Sequence, residues 1–197
     1  MSSLIESKHR GLEWDLMSWC GGWGVTMADR SDPEAVLITG VYGSGKTSVV
    51  EEIADVLERR GVPYAALDLD WLKWFDSGRG DDASEGVMLK NLDAVVGNYL
   101  DEGVRRFAIA GAFASLEEVE TLTASLAMRV TVVRLTVALE EIERRLSSAV
   151  TAGRQDDLRE AGEWIAIGRG QSIEDLAIEN DRPIREIALE VLSALGW

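Results

Sequence analysis

The sequence predicts an α/β chain in three layers, five parallel strands with helices on both faces. Three observations lead there. Short apolar runs recur near 35–39, 63–68, 105–111, 129–136 and 174–179. Between most of them lie longer segments whose apolar residues return every three or four positions, the helical period. Strands alternating with helices in this way call for a parallel sheet, because each crossover helix must pack back on a face. The third observation is a glycine-rich junction between the first strand and the first helix, Gly40-Val41-Tyr42-Gly43-Ser44-Gly45-Lys46-Thr47.

In order, Ala35-Val36-Leu37-Ile38 marks strand one. The helix after the junction turns Val49, Val50, Ile53, Ala54 and Leu57 inward and Glu51, Glu52, Glu58, Arg59 and Arg60 to water, and Gly61 ends it. Strand two runs from Pro63 to Asp68 and on into Leu69-Asp70-Trp71-Leu72-Lys73-Trp74; the glycine- and charge-rich 76–82 is a surface loop. A helix is expected over 84–102. Strand three, 105–111, is too short and too flanked by glycine for a helix. Ser115 and Glu118 form a capping box for a helix to about 127. Strand four is 129–136, followed by a helix over about 138–149 with Leu139, Ile142 and Leu146 inward. Residues 150–172 are polar, carry Arg154, Arg159 and Arg169, and show no strong period. After strand five, Asn180-Asp181-Arg182-Pro183 opens a final helix.

Residues 1–34 differ, with Trp14, Trp19 and Trp23 set among glycines in no period. They are expected to form a poorly ordered or loosely packed extension, with Met27 as the functional start, and 35–197 the folded domain. The alternative is an aromatic flap on the core.

Composition narrows the partners. The chain has 197 residues and a net charge of −15, enough for one domain and unfavourable for nucleic acid, whose affinity comes from Lys and Arg on phosphates. Cys20 is the single cysteine, so an intramolecular disulfide is excluded and a reducing cytoplasm fits. No apolar run reaches ~18 residues and no signal-peptide core opens the chain, so a cytoplasmic protein without a membrane partner is expected. His9 is the only histidine and lies in the extension.

The junction is G-x-x-x-x-G-K-[ST] in strand-then-helix context, a phosphate-binding P-loop. Glycines let successive N–H groups turn toward one anion, and the helix N-terminus adds partial positive charge. Gly40, Tyr42, Gly43, Ser44, Gly45, Lys46, Thr47 and Ser48 are therefore the expected nucleotide-binding residues, with Lys46 on the β/γ-phosphates and the Thr47 hydroxyl on a Mg²⁺. In an open parallel sheet the ligand lies beyond the carboxyl ends of the strands. Strand two ends there in Asp68-x-Asp70. If the strand persists, the two side chains point the same way, Asp68 to the metal and Asp70 to an attacking hydroxyl. The other reading of the pair is a helix cap or solvated turn. Trp71 and Trp74 would wall the acceptor pocket or else pack in the core, and Arg79, in the loop beyond, would close over the acceptor.

The layout resembles the small P-loop kinases, such as gluconate, shikimate and adenylylsulfate kinases and chloramphenicol phosphotransferase. The resemblance spans about 35–197 and rests on the P-loop, on Leu67-Asp68-Leu69-Asp70-Trp71, on Arg134-Leu135-Thr136 with Glu143-Arg144-Arg145-Leu146, and on Asn180-Asp181-Arg182-Pro183. It implies sheet order 2-3-1-4-5 and an ATP- and Mg²⁺-dependent kinase acting on a hydroxyl of a small molecule, as a monomer or homodimer. It implies Arg145 and Arg154 as lid arginines, Arg154 being the catalytic one, and Arg182 and Pro183 at the adenine. Two departures stand out. Strand three ends Ala110-Gly111-Ala112 without an acid, and Ser147-Ser148-Ala149-Val150 separate Arg145 from Arg154. They favour a second reading, a nucleotide sensor that does not transfer phosphate.

Overall fold

The computed structural model describes residues 32–76, 78, 84–147 and 152–197, with no side-chain account of 146–147 and 152–157. The expectations for 1–31, including Met27 and the three early tryptophans, and for Arg79 lie outside the described residues.

Five strands form one parallel sheet: β1 (Glu34–Thr39), β2 (Tyr64–Asp68), β3 (Arg106–Ala110), β4 (Arg129–Thr136) and β5 (Leu176–Glu179). Their order is β2-β3-β1-β4-β5, the expected one. Because β1 is central, its side chains divide cleanly by strand period. Ala35 and Leu37 join a core with Leu67, Phe107 and Ile109 on one face, while Val36 and Ile38 join Ala108, Val133 and Leu135 on the other. The first core is covered by α3 (Ser84–Asp101) and α4 (Leu116–Leu126), through Met88, Leu92, Val96, Val119, Leu122 and Leu126. The second is covered by α1 (Lys46–Arg59) and α7 (Ile184–Leu195), through Val49, Ile53, Leu57, Ile187, Val191 and Leu192. Each face thus has two helices, and the carboxyl ends of all five strands open on one side.

Three local findings differ from the sequence reading. Strand two does not persist: it ends at Asp68, which caps a four-residue helix α2 (Leu69–Leu72), its Oδ1 accepting from the Asp70 N–H at 3.0 Å. The capping box of α4 is shifted. Ser115 Oγ accepts from Glu118 N–H at 3.3 Å, but the Glu118 carboxylate reaches Ala114 N–H at 2.8 Å, one residue further back than the simple box. Finally, the stretch without a period contains a helix, α6 (Ala152–Ile167), packed beside α5 (Leu139–Ser147). Its polar sequence buries little, Ala161 and Trp164 above all, and so leaves a faint pattern. Gly168, in the left-handed region at φ 68°, ends it.

Candidate functional site

The P-loop joins β1 to α1 through three glycines at positive φ: Gly40 at 140°, Gly43 at 76° and Gly45 at 94°. Gly40 and Gly45 also sit where no side chain fits. A Cβ on Gly40 would meet Leu135 O at 2.6 Å, and one on Gly45 would meet Asn180 Nδ2 at 2.5 Å. The loop therefore has to be glycine at both places, and the backbone between them curls over the start of α1.

Lys46 is buried, its Nζ donating to Gly40 O and Val41 O, each at 3.0 Å, and lying 5.3 Å from the centre of the Tyr42 ring. Tyr42 meets Trp164 of α6 edge to face at 6.5 Å, so the helix that the sequence hid supports the P-loop from below. Thr47 faces β2. Its Oγ1 donates to Asp68 Oδ2 at 2.7 Å, so one carboxylate both caps α2 and holds the P-loop hydroxyl. Asp70, the second residue of α2, lines the P-loop cleft together with Tyr42, Lys46, Thr47, Ser48 and Arg145, and its Oδ1 is 3.2 Å from Lys73 Nζ. Asp70 thus lines the cleft itself while Asp68 stands behind it on Thr47, an arrangement set by the cap that turns the chain, where the sequence reading relied on strand alternation.

A second set of residues fixes the far wall. Asn180, 1% exposed, donates from Nδ2 to Ser44 O at 2.7 Å, and its backbone N–H donates to Thr136 O at 2.8 Å. Arg145 spans the gap between P-loop and β5 loop, donating to Gly43 O at 3.4 Å and to Asn180 O at 3.1 Å. It is oriented by Glu141 Oε1 at 2.7 Å, and Arg144 grips the same carboxylate through two bonds of 2.6 Å. These guanidinium hydrogen bonds, Arg144 first, hold the Glu141 carboxyl down at about 2. Arg182 and Pro183 also line the cleft, though the Arg182 guanidinium pairs with Glu190 of α7. The cleft holds about 690 Å³.

The remaining expected residues fall elsewhere. Trp71 and Trp74 are 68% and 76% exposed, their rings tilted 40° to each other with centroids 4.9 Å apart. Of the two expected fates, core packing is overturned, since the turn at α2 leaves both at the surface. Arg154 falls on α6, a stretch whose side chains are not described near it. Glu141 and Trp164 lie outside the expected site, and Asn180 and Arg144 enter the sequence reading only within the longer stretches that carry the resemblance. Asn180 could have been flagged as the first polar residue after a strand facing the P-loop; Glu141 and Trp164 carry no signal apart from their partners.

Fold and cleft together define a P-loop α/β architecture like that of small-molecule kinases of solved structure. Solved structures show the same arrangement. A gluconokinase from Sinorhizobium meliloti 1021 is 21% identical with a TM-score of 0.58, covering 85% of this chain and 94% of its own. The Mycobacterium tuberculosis APS kinase CysC in complex with AMPPNP and APS is 21% identical with a TM-score of 0.58, covering 84% and 99%. A shikimate kinase from Acinetobacter baumannii in complex with shikimate is 20% identical with a TM-score of 0.52, covering 84% and 93%. No family model and no curated protein matches the sequence. Among the described residues no helix is long and apolar enough to cross a membrane, and no group of three or more His, Cys, Asp or Glu forms a metal cluster.

Proposed function

We propose that the chain is an ATP- and Mg²⁺-dependent kinase that phosphorylates a hydroxyl of a small molecule. The observation that carries this reading is the Thr47–Asp68 bond of 2.7 Å, which sets a carboxylate and a hydroxyl side by side at the mouth of a glycine cradle. Hard oxygen donors of this kind suit Mg²⁺, which binds through one or two protein oxygens and takes the rest from phosphates and water. Bound there, the ion would neutralise charge on the β- and γ-phosphates. The neighbours' printed ligands, AMPPNP, APS and shikimate, support nucleotide and small-molecule sites in this architecture.

The roles then divide by position. The P-loop amides and Lys46 hold the phosphates; releasing its bonds to Gly40 O and Val41 O frees Lys46 for the nucleotide. Ser48 and Tyr42 flank that site, and Arg145, Arg182 and Pro183 bound the nucleotide on the β5 side. Asp70 accepts the proton of the acceptor hydroxyl as its oxygen bonds to the γ-phosphorus and the bond from phosphorus to ADP breaks. Arg154 is assigned to the lid, with Arg79 over the acceptor. The protein is assigned to the cytoplasm, as a monomer or homodimer. A screen of small alcohols, sugars, nucleosides and antibiotics for acceptor-dependent ADP release tests the reading. Asp70→Asn should keep ATP affinity and slow that release by ~10²–10⁴.

One observation favours a second reading, a sensor that binds ATP without transferring phosphate: β3 ends at Ala110, is followed by Gly111, and offers no carboxylate at its end. ATP binding without release by any acceptor would support it.

A further inference from the structure

On the β2–β3 side of the site lies a cavity of about 230 Å³, floored by Leu69, Met88, Phe113 and Leu122 and lined at its mouth by Lys73 and Glu117. The four floor residues are core residues, each at most 8% exposed by the values of 1%, 7%, 6% and 1%. The space is below the ~300–1,000 Å³ of sites for drug-sized ligands, and suits a single ring. Its place matters as much as its size. Leu69 sits between Asp68 and Asp70 in the chain, and Lys73, which lines the cavity, is bonded to Asp70, which lines the P-loop cleft. Lys73 thus links the lining of this cavity to Asp70 in the neighbouring cleft.

Charge then selects the body. Among the described residues the lining carries three carboxylates, Glu85, Glu117 and Glu118, against the single cation Lys73. Lys73 is engaged by Asp70 at 3.2 Å, so it does not offset an incoming anion. The Glu118 carboxylate is held in place by the Ala114 N–H. An anion entering here would meet like charge over a low-dielectric floor, where repulsion is least screened. Anion-favouring groups stand instead across Phe113, where a second cavity of about 200 Å³ is lined by Arg134 and Arg169. Of these Arg134 is already paired with Glu174 at 2.5 Å.

Resting on the kinase reading, we propose that the acceptor is an uncharged or cationic hydroxyl compound with one apolar ring, seated in the first cavity with its hydroxyl at Asp70. Carboxylate- and phosphate-bearing acceptors are turned away.

Three probes of one shape and different charge test this: 4-(hydroxymethyl)benzylamine, 4-(hydroxymethyl)benzamide and 4-(hydroxymethyl)benzoate, titrated against the full chain by ligand-observed NMR. The amine and the amide should bind about tenfold tighter than the benzoate, the size of one partly screened charge at contact range. In the Glu85→Lys/Glu117→Lys variant, altered only at exposed positions, the benzoate should draw level or lead. Equal or tighter benzoate binding by the parent chain overturns the proposal, as does failure of all three to bind or an order unmoved by the double substitution. Benzoate binding that disappears in Arg169→Gln would place the acceptor in the second cavity and overturn it as well. Binding in the expected order with no ADP release from any probe supports the cavity's selectivity and counts against the kinase reading alone.

Discussion

At the scale of single residues the site is built from side chains that each make two commitments. Lys46 ties two P-loop carbonyls, yet among the described residues it is the only lysine in the cleft lining. Lys46→Ala should lower ATP affinity in calorimetry by ~10–100-fold, the loss of charge-assisted bonds of about 1.5–3 kcal/mol, with little change in melting temperature. Asp68 caps α2 with one oxygen and holds Thr47 with the other. Asparagine keeps an oxygen for the cap, whereas alanine keeps neither. Asp68→Asn and Asp68→Ala should therefore weaken Mg²⁺-dependent ATP binding alike, while only the alanine variant loses about 1 kcal/mol of stability in urea titrations. Glu141 gives a pH signature. Its carboxyl is held at about 2, below the ordinary 4.5, so its contribution is complete above 4.5 and disappears as pH falls through about 2. The gap in melting temperature between parent and Glu141→Gln should be constant from neutral pH down to about 4.5 and close between there and about 2.

At the scale of elements, backbone angle separates two small residues that look interchangeable in the sequence. Gly45, the N-cap of α1, is at φ 94° with Asn180 Nδ2 where a Cβ would go. Gly45→Ala should cost about 1–3 kcal/mol and ATP binding with it, read by urea unfolding and calorimetry. Ala127, the C-cap of α4, is an L-residue at φ 48°. Ala127→Gly relieves that and should raise stability by about 1 kcal/mol in the same unfolding experiment. Helix α6 shows the limit of periodicity as a signal. Leu158, Ala161 and Trp164 do follow one face at roughly helical spacing, but the stripe is narrow because the helix packs on α5 and, through Trp164, on Tyr42 of the P-loop.

Over the whole molecule, both cores draw, among the described residues, on positions from 35 onward, and each is closed by a pair of helices. Nothing in either core as described calls for the first 26 residues. A chain beginning at Met27 should accordingly fold, melt within a few degrees of the full chain and keep its nucleotide affinity. A large fall in melting temperature would show that Trp14, Trp19 or Trp23 is buried against the domain.

The sequence by itself determined the sheet, its strands and the P-loop, because these depend on local terms: short apolar runs buried on both faces, helical spacing, and glycines at a strand–helix junction. β4 runs over the expected residues from end to end, and the other strands agree to within two. Tertiary structure decided how the site closes. Whether Asp70 reaches the cleft depended on a cap at Asp68 that ends the strand, and two tryptophans in mutual contact went to the surface with that turn. The far wall joins residues more than a hundred positions apart, Arg145 on Gly43 and Asn180 on Ser44. Such bonds leave no period in the chain, since what fixes them is the crossing of strands whose carboxyl ends meet only after the sheet has formed.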